Sequence, residues 1–151
     1  LVCSVRSRRL SQFSSSRFAD HFSSLADEYA RFRPGYPPSL FAWLAGLAPS
    51  RRLAWDCATG PGQAAAGLAR HFERVVATEA SLDQLLQGER DRDSRLHLVC
   101  SLAERSALTP GSVDLLTVAQ AVHWFDFDAF WTEVRRVLAP EGVVAVWGYG
   151  L

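Results

Sequence analysis

Lysine, isoleucine, asparagine and methionine are absent from the chain, and all 16 of its basic residues other than histidine are arginine. The missing residues use AT-rich codons, so this gap reports a GC-rich coding sequence rather than a function. Net charge is absent too, because 16 basic residues balance 16 acidic ones. Bulk electrostatics therefore gives no route to nucleic acid or to an anionic membrane. No apolar run approaches the ~20 residues that span a bilayer. Cysteine is scarce. Cys3, Cys57 and Cys100 have no metal-site spacing, and an odd number cannot all pair within one chain. No metal is expected, and a reducing, cytoplasmic setting is. What the chain does have is apolar residues, 48% of 151, enough for one globular domain with a core.

Residues 1–17 carry Arg6, Arg8, Arg9 and Arg17, many serines and no acid. They read as a disordered or non-native tail. An Arg- and Ser-rich, acid-poor start also suits organelle targeting, which makes the mitochondrion the alternative location. A single domain is expected over 18–151. Phe18, Phe22, Leu25, Tyr29 and Phe32 recur on one face of an amphipathic helix. Arg33-Pro34-Gly35-Tyr36-Pro37-Pro38 stops it, and a second helix is predicted over 38–47.

From there short apolar strands alternate with helices. Strands are predicted over 53–57, 74–78, 96–100, 113–118 and 143–147. Helices are predicted over 62–72, 82–87 and 127–138, with a loop around Ala103-Glu104 and a turn at 139–142. Trp124 and Trp147 read as core aromatics. Such alternation implies a parallel sheet covered on both faces. There is no internal repeat.

The most informative stretch is Asp56-Cys57-Ala58-Thr59-Gly60-Pro61-Gly62. An apolar strand ends in an acid, and a glycine loop opens a helix. Strand, glycine loop and helix begin many nucleotide-type sites in open α/β sheets. Asp56 discriminates among ligands, since a carboxylate there repels a pyrophosphate and welcomes an ammonium group. A nicotinamide dehydrogenase is a competing reading, because Gly60-Pro61-Gly62-Gln63-Ala64-Ala65 loosely fits the dinucleotide pattern. Ala65 at the third glycine place and Asp56 before the loop argue against it.

These residues resemble the first motif of the class I S-adenosylmethionine-dependent methyltransferases. Val75-Val76-Ala77-Thr78-Glu79 resembles that family's second strand with its ribose-binding acid. The segment from Val113 to Ala121 resembles its fourth strand, and Leu138-Ala139-Pro140-Glu141-Gly142 its turn into the fifth. Phe32-Arg33-Pro34-Gly35-Tyr36-Pro37 and Ala119-Gln120-Ala121-Val122-His123-Trp124-Phe125 are similar to the small-molecule branch that includes trans-aconitate methyltransferase-like proteins. The resemblance implies a Rossmann-like, doubly wound parallel α/β sheet. About five strands are present and the family's last two are missing, so the chain is expected to be C-terminally truncated, with its last strand an uncovered apolar edge.

The resemblance also implies S-adenosyl-L-methionine as cofactor and assigns residues to it. Asp56 would meet the methionine ammonium, and Ala58, Thr59, Gly60 and Gly62 would form the loop around the methionyl part. Glu79 would accept both ribose hydroxyls. Ala103 and Glu104 would border the adenine, Leu102 standing where many relatives have an Asp. Tyr29 and Arg33 would cap the pocket, Arg33 pairing with the cofactor carboxylate. Gln120 would face the methyl group or the acceptor, and His123 would be a general base for a hydroxyl or carboxylic acid, or else a packing residue beside Trp124 and Phe125. The expected activity is methyl transfer to a small molecule, O-methylation of a carboxylate or hydroxyl. The alternative is a catalytically inactive binding module or truncated isoform. No nucleic-acid motif such as Asn-Pro-Pro-Tyr follows the fourth strand, neither nucleic acid nor membrane is expected as a partner, and nothing indicates an oligomeric state.

Overall fold

Leucine, valine and alanine crowd the central strand segments without polar alternation, so those strands need cover on both faces. The computed structural model describes residues 3–4, 35–88 and 93–148 and shows how that cover is built. The strands are β1 (Cys3–Ser4), β2 (Leu53–Cys57), β3 (Arg74–Glu79), β4 (Leu96–Cys100), β5 (Val113–Ala119) and β6 (Leu138–Trp147). The helices are α1 (Pro38–Leu47), α2 (Gln63–Leu68), α3 (Leu82–Leu86) and α4 (Phe127–Val137), with a 3-10 turn at Val122–Trp124 between β5 and α4.

The sheet order is β1-β6-β5-β2-β3-β4. β2 to β6 are parallel to one another, which gives the five-stranded parallel sheet expected, and β1 is antiparallel to β6. From β2 the chain moves outward to β3 and β4, then crosses back and continues on the other side of β2 through β5 to β6. That reversal makes the C-terminal ends of β2 and β5 the topological switch point, where open α/β sheets bind ligands.

One face packs Phe41 and Leu44 of α1 and Leu68 of α2 over Val75, Ala77 and Leu115. On the other, Trp55, Leu116 and Val118 meet Phe130, Val134 and Val137 of α4. All seven residues of β5 are buried. Local chemistry fits the helix boundaries. Proline stands in the first turn of α1, where no donor is needed. Asp126 caps α4 by accepting from Ala129 N, and Arg135 and Arg136 lie in its last turn, beside the negative end of the helix dipole.

Four details differ from the sequence reading. α2 is shorter than 62–72, because the chain tightens after Leu68, whose carbonyl accepts from both His71 N and Phe72 N. The turn expected at 139–142 is absorbed into β6. Val113 pairs with Leu138 and Leu115 with Val143, so the extra residues bulge out at Glu141, where φ is 61°. Trp124 is no core residue. It sits in the 3-10 turn beyond the C-terminal end of β5 and is 43% exposed. The β6 edge carries Cys3–Ser4, paired with Val146 and Ala145; the rest of 1–17 and the helix expected at 18–32 lie outside the described residues. Among the described residues no helix is long and apolar enough to cross a membrane.

Candidate active site

Parallel pairing sets Asp56 of β2 beside Ala77 of β3 and Thr117 of β5. One residue after β2 the backbone turns left-handed at Ala58 (φ 54°), again at Gly60 (58°) and again at Gly62 (92°). Ala58 carries a Cβ, so its conformation is strained and must be held by what surrounds it. At Gly62 a side chain would meet open space, so the dihedral, not room, demands glycine.

The loop is held by a set of hydrogen bonds. Thr59 N donates to Thr78 O at 2.9 Å, and Thr59 Oγ1 donates to Asp56 Oδ2 at 2.5 Å. Gly60 N donates to Glu79 Oε2 at 2.9 Å, and Ser81 N donates to Glu79 Oε1 at 3.0 Å. Asp56 is 1% exposed and accepts a further bond from Thr117 Oγ1 at 2.6 Å. Burial pushes its carboxyl up to about 6, against the hydroxyl bonds from Thr117 and Thr59, which lower it.

Of the site residues read from sequence, the structure brings Asp56, Ala58, Thr59, Gly60, Gly62 and Glu79 into one constellation. Asp56 lies beneath the loop with both oxygens bonded to the chain's own hydroxyls, so it supports the loop. Ala103 is buried in the loop after β4. Glu104 turns toward α4, its Oε1 accepting from Asp126 N at 2.9 Å. Gln120 follows β5 in a left-handed conformation (φ 63°), and its N donates to Trp147 O at 2.8 Å. His123 is exposed, its ring 4.7 Å from that of Trp124. Tyr29 and Arg33 lie outside the described residues. Tyr36, at the end of that segment, sets its ring edge-on to Trp147 at 5.5 Å.

Two functional residues escaped the sequence reading. Thr117 supports Asp56, and its signal was a hydroxyl within an otherwise apolar buried strand. Ser81 both caps α3 through Gln84 N and donates to Glu79. A cleft of about 660 Å³ runs along α2 and meets the site only at the loop; Phe41, Gly62, Gln63, Arg70, Leu96 and Leu98 are among its walls. Asp56, Glu79 and Gln120 belong to the sheet end instead, where the ladder ends and the loops converge. Among the described residues no cluster of three His, Cys, Asp or Glu side chains could hold a metal.

A parallel sheet with a carboxylate-braced glycine loop at its switch point defines an α/β protein that binds a nucleoside-type ligand. The comparisons narrow this. Residues 55–146 match the methyltransferase domain model, and the chain belongs to that family, whose cofactor is S-adenosyl-L-methionine. It is 39% identical over 137 residues to a Dictyostelium discoideum protein classed by name with the methyltransferases, covering 90% of this chain and 51% of that one. It is 31% identical over 110 residues to malonyl-[acyl-carrier protein] O-methyltransferase of Methylovorus sp., covering 67% and 37%. A structure from Anaeromyxobacter dehalogenans, assigned to the type II methyltransferases, superimposes with a TM-score of 0.75 at 48% identity, covering 80% of this chain and 50% of that one. The chain thus spans about half the length of the first of these relatives.

The site fits the family's cofactor. Each carboxylate oxygen of Glu79 accepts one backbone bond and keeps a lone pair for a hydroxyl. Asp56 places negative charge under a loop whose left-handed turns leave Gly62 facing open space.

Proposed function

We propose that this chain carries the cofactor half of a small-molecule methyltransferase that O-methylates a carboxylate or hydroxyl. The observation that carries the reading is the glycine loop braced by Asp56 from β2 and Glu79 from β3 at the switch point. Glu79 holds the ribose hydroxyls while ordering the loop through Gly60 N. Asp56 supplies the negative potential that favours an ammonium group. Ala103 offers its backbone to the adenine, and Glu104 supports that loop through α4.

The bound cofactor supplies a methyl group on a sulfonium, already activated for in-line displacement. The chain's own task is then orientation and exclusion of water. Gln120, held at the end of β5, faces the acceptor, and His123 accepts a proton from a hydroxyl acceptor at an imidazole nitrogen. A carboxylate is ionised near neutral pH and needs no base. The similarity to an O-methyltransferase, at 31% identity, supports oxygen as the accepting atom. The trans-aconitate-like branch is supported by Gln120, His123, Trp124 and Phe125 in the loop after β5.

Calorimetric titration with S-adenosylhomocysteine, with NAD as control, tests the cofactor. Binding to the first and not the second is expected; NAD binding alone would overturn the reading. His123→Ala is expected to keep this affinity and lower turnover at least ~10²-fold with hydroxyl acceptors. Undiminished turnover with every acceptor would remove His123 from catalysis.

A further inference from the structure

Thr117 stands where the pattern of β5 calls for an apolar residue. Its neighbours Leu116 and Val118 are fully buried, and so is Thr117 itself. A buried hydroxyl without a partner destabilises a strand by about 1–3 kcal/mol, so its presence has to be matched by a bond. That bond goes to Asp56 Oδ1 at 2.6 Å, directly across the β2–β5 ladder. Asp56 passes the connection on, because its other oxygen accepts from Thr59 Oγ1 within the glycine loop. The chain of groups Thr117–Asp56–Thr59 thus links β5, the strand that leads into Gln120, to the loop proposed to hold the cofactor.

We infer that Thr117 is a positioning residue, which orients Asp56 and through it sets the shape of the glycine loop. The inference rests on the cofactor reading above. The two hydroxyls orient the carboxylate so that Thr59 stays within bonding reach, next to the strained Ala58. They also lower the proton affinity of a carboxyl that burial raises. The titratable groups facing Asp56 are few. β3 contributes Glu79, whose charge opposes ionisation of Asp56, and β2 contributes Cys57, whose thiol burial pushes up, so that it stays neutral. α2, Gln63–Leu68, has no charged residue and contributes the backbone amide of Ala65; β5 contributes the Thr117 hydroxyl. Without that hydroxyl, Asp56 takes up a proton at higher pH and the loop loses charge where the ligand's ammonium group would lie.

The test is titration of wild type, Thr117→Val and Thr117→Ser with S-adenosylhomocysteine from about pH 6 to about pH 8. The isosteric valine is expected to weaken binding about tenfold at neutral pH, the scale of one hydrogen bond to a charged group. The gap to wild type should narrow toward the alkaline end, and serine should restore wild-type affinity within about twofold. A merely structural role would lower the melting temperature and leave the pH profile of affinity unmoved. Wild-type binding with an unchanged valine profile overturns this inference alone. Absence of binding by folded wild type overturns the cofactor reading and this inference together. Should valine not fold, Thr117→Ala carries the same comparison.

Discussion

Two buried acids sit on neighbouring strands of the same sheet, at opposite ends, and do different things. Asp114, at the start of β5, is 0% exposed and accepts from Ser50 Oγ, Arg52 N and Leu53 N, with the Arg52 guanidinium 3.3 Å from its other oxygen. Burial works to raise its pKa, but those donors outweigh it and hold the carboxyl below its ordinary value. Asp56, near the end of β2, is equally shielded from solvent but lies deeper; its side-chain partners are two neutral hydroxyls, and burial dominates. A buried carboxylate matched by a cation and backbone amides is a staple, fixing the α1–β2 connection to β5. One matched by two hydroxyls and a single backbone amide, with no cation, stays responsive to pH. Both donors and depth differ: Asp114 lies just beneath the surface beside an exposed guanidinium, and Asp56 lies deep within the fold.

The largest effect is expected at the staple. Asp114→Ala leaves the Leu53 amide and the Ser50 hydroxyl unpaired and should lower unfolding free energy by about 3 kcal/mol. Chemical denaturation measures this, and a loss below about 1 kcal/mol would show that the staple adds little. In wild type this stabilisation is present above the unfolded carboxyl value and lost as pH falls through the lower folded one.

Asp56 should behave in the opposite sense. Its folded-state value of about 6 lies above the ordinary 3.8. The folded chain therefore keeps the proton between about pH 4 and about pH 6, and stability from this group falls as pH rises through that window. Asp56→Asn should remove the slope and gain about 1–3 kcal/mol on wild type above the window while losing cofactor affinity. Parallel unfolding curves of the two proteins across that pH range would erase the contrast with Asp114.

A smaller effect is expected at Glu79→Gln, which keeps the shape and removes the charge. The new amide sets an N–H against that of Gly60 or Ser81, so S-adenosylhomocysteine affinity should fall about tenfold and stability by about 1 kcal/mol. A loss of stability with unchanged affinity would make Glu79 a loop staple like Asp114.

Much of this fold could be read along the chain. Helix α1 and strands β2 and β4 fall on the predicted residues, because proline in a first turn and apolar runs bounded by turn residues are local signals. The β6 bulge was not legible, since it arises from register against β5, a partner more than twenty residues away. Trp124 misled for a similar reason. Its apolar character says core, but the 3-10 turn carries it past the C-terminal end of β5.

At the site, the sequence alone determined the glycine loop, its two acids and their order, because backbone conformation and charge are written in residue type. Which groups each acid holds was decided only by the tertiary structure. Asp56 looked exposed to a ligand until the β2–β5 pairing placed Thr117 across from it and Thr59 folded back over it. A pattern of residue types names what a side chain can bond to; its partners come from distant strands, and only their assembly says which bonds are already made.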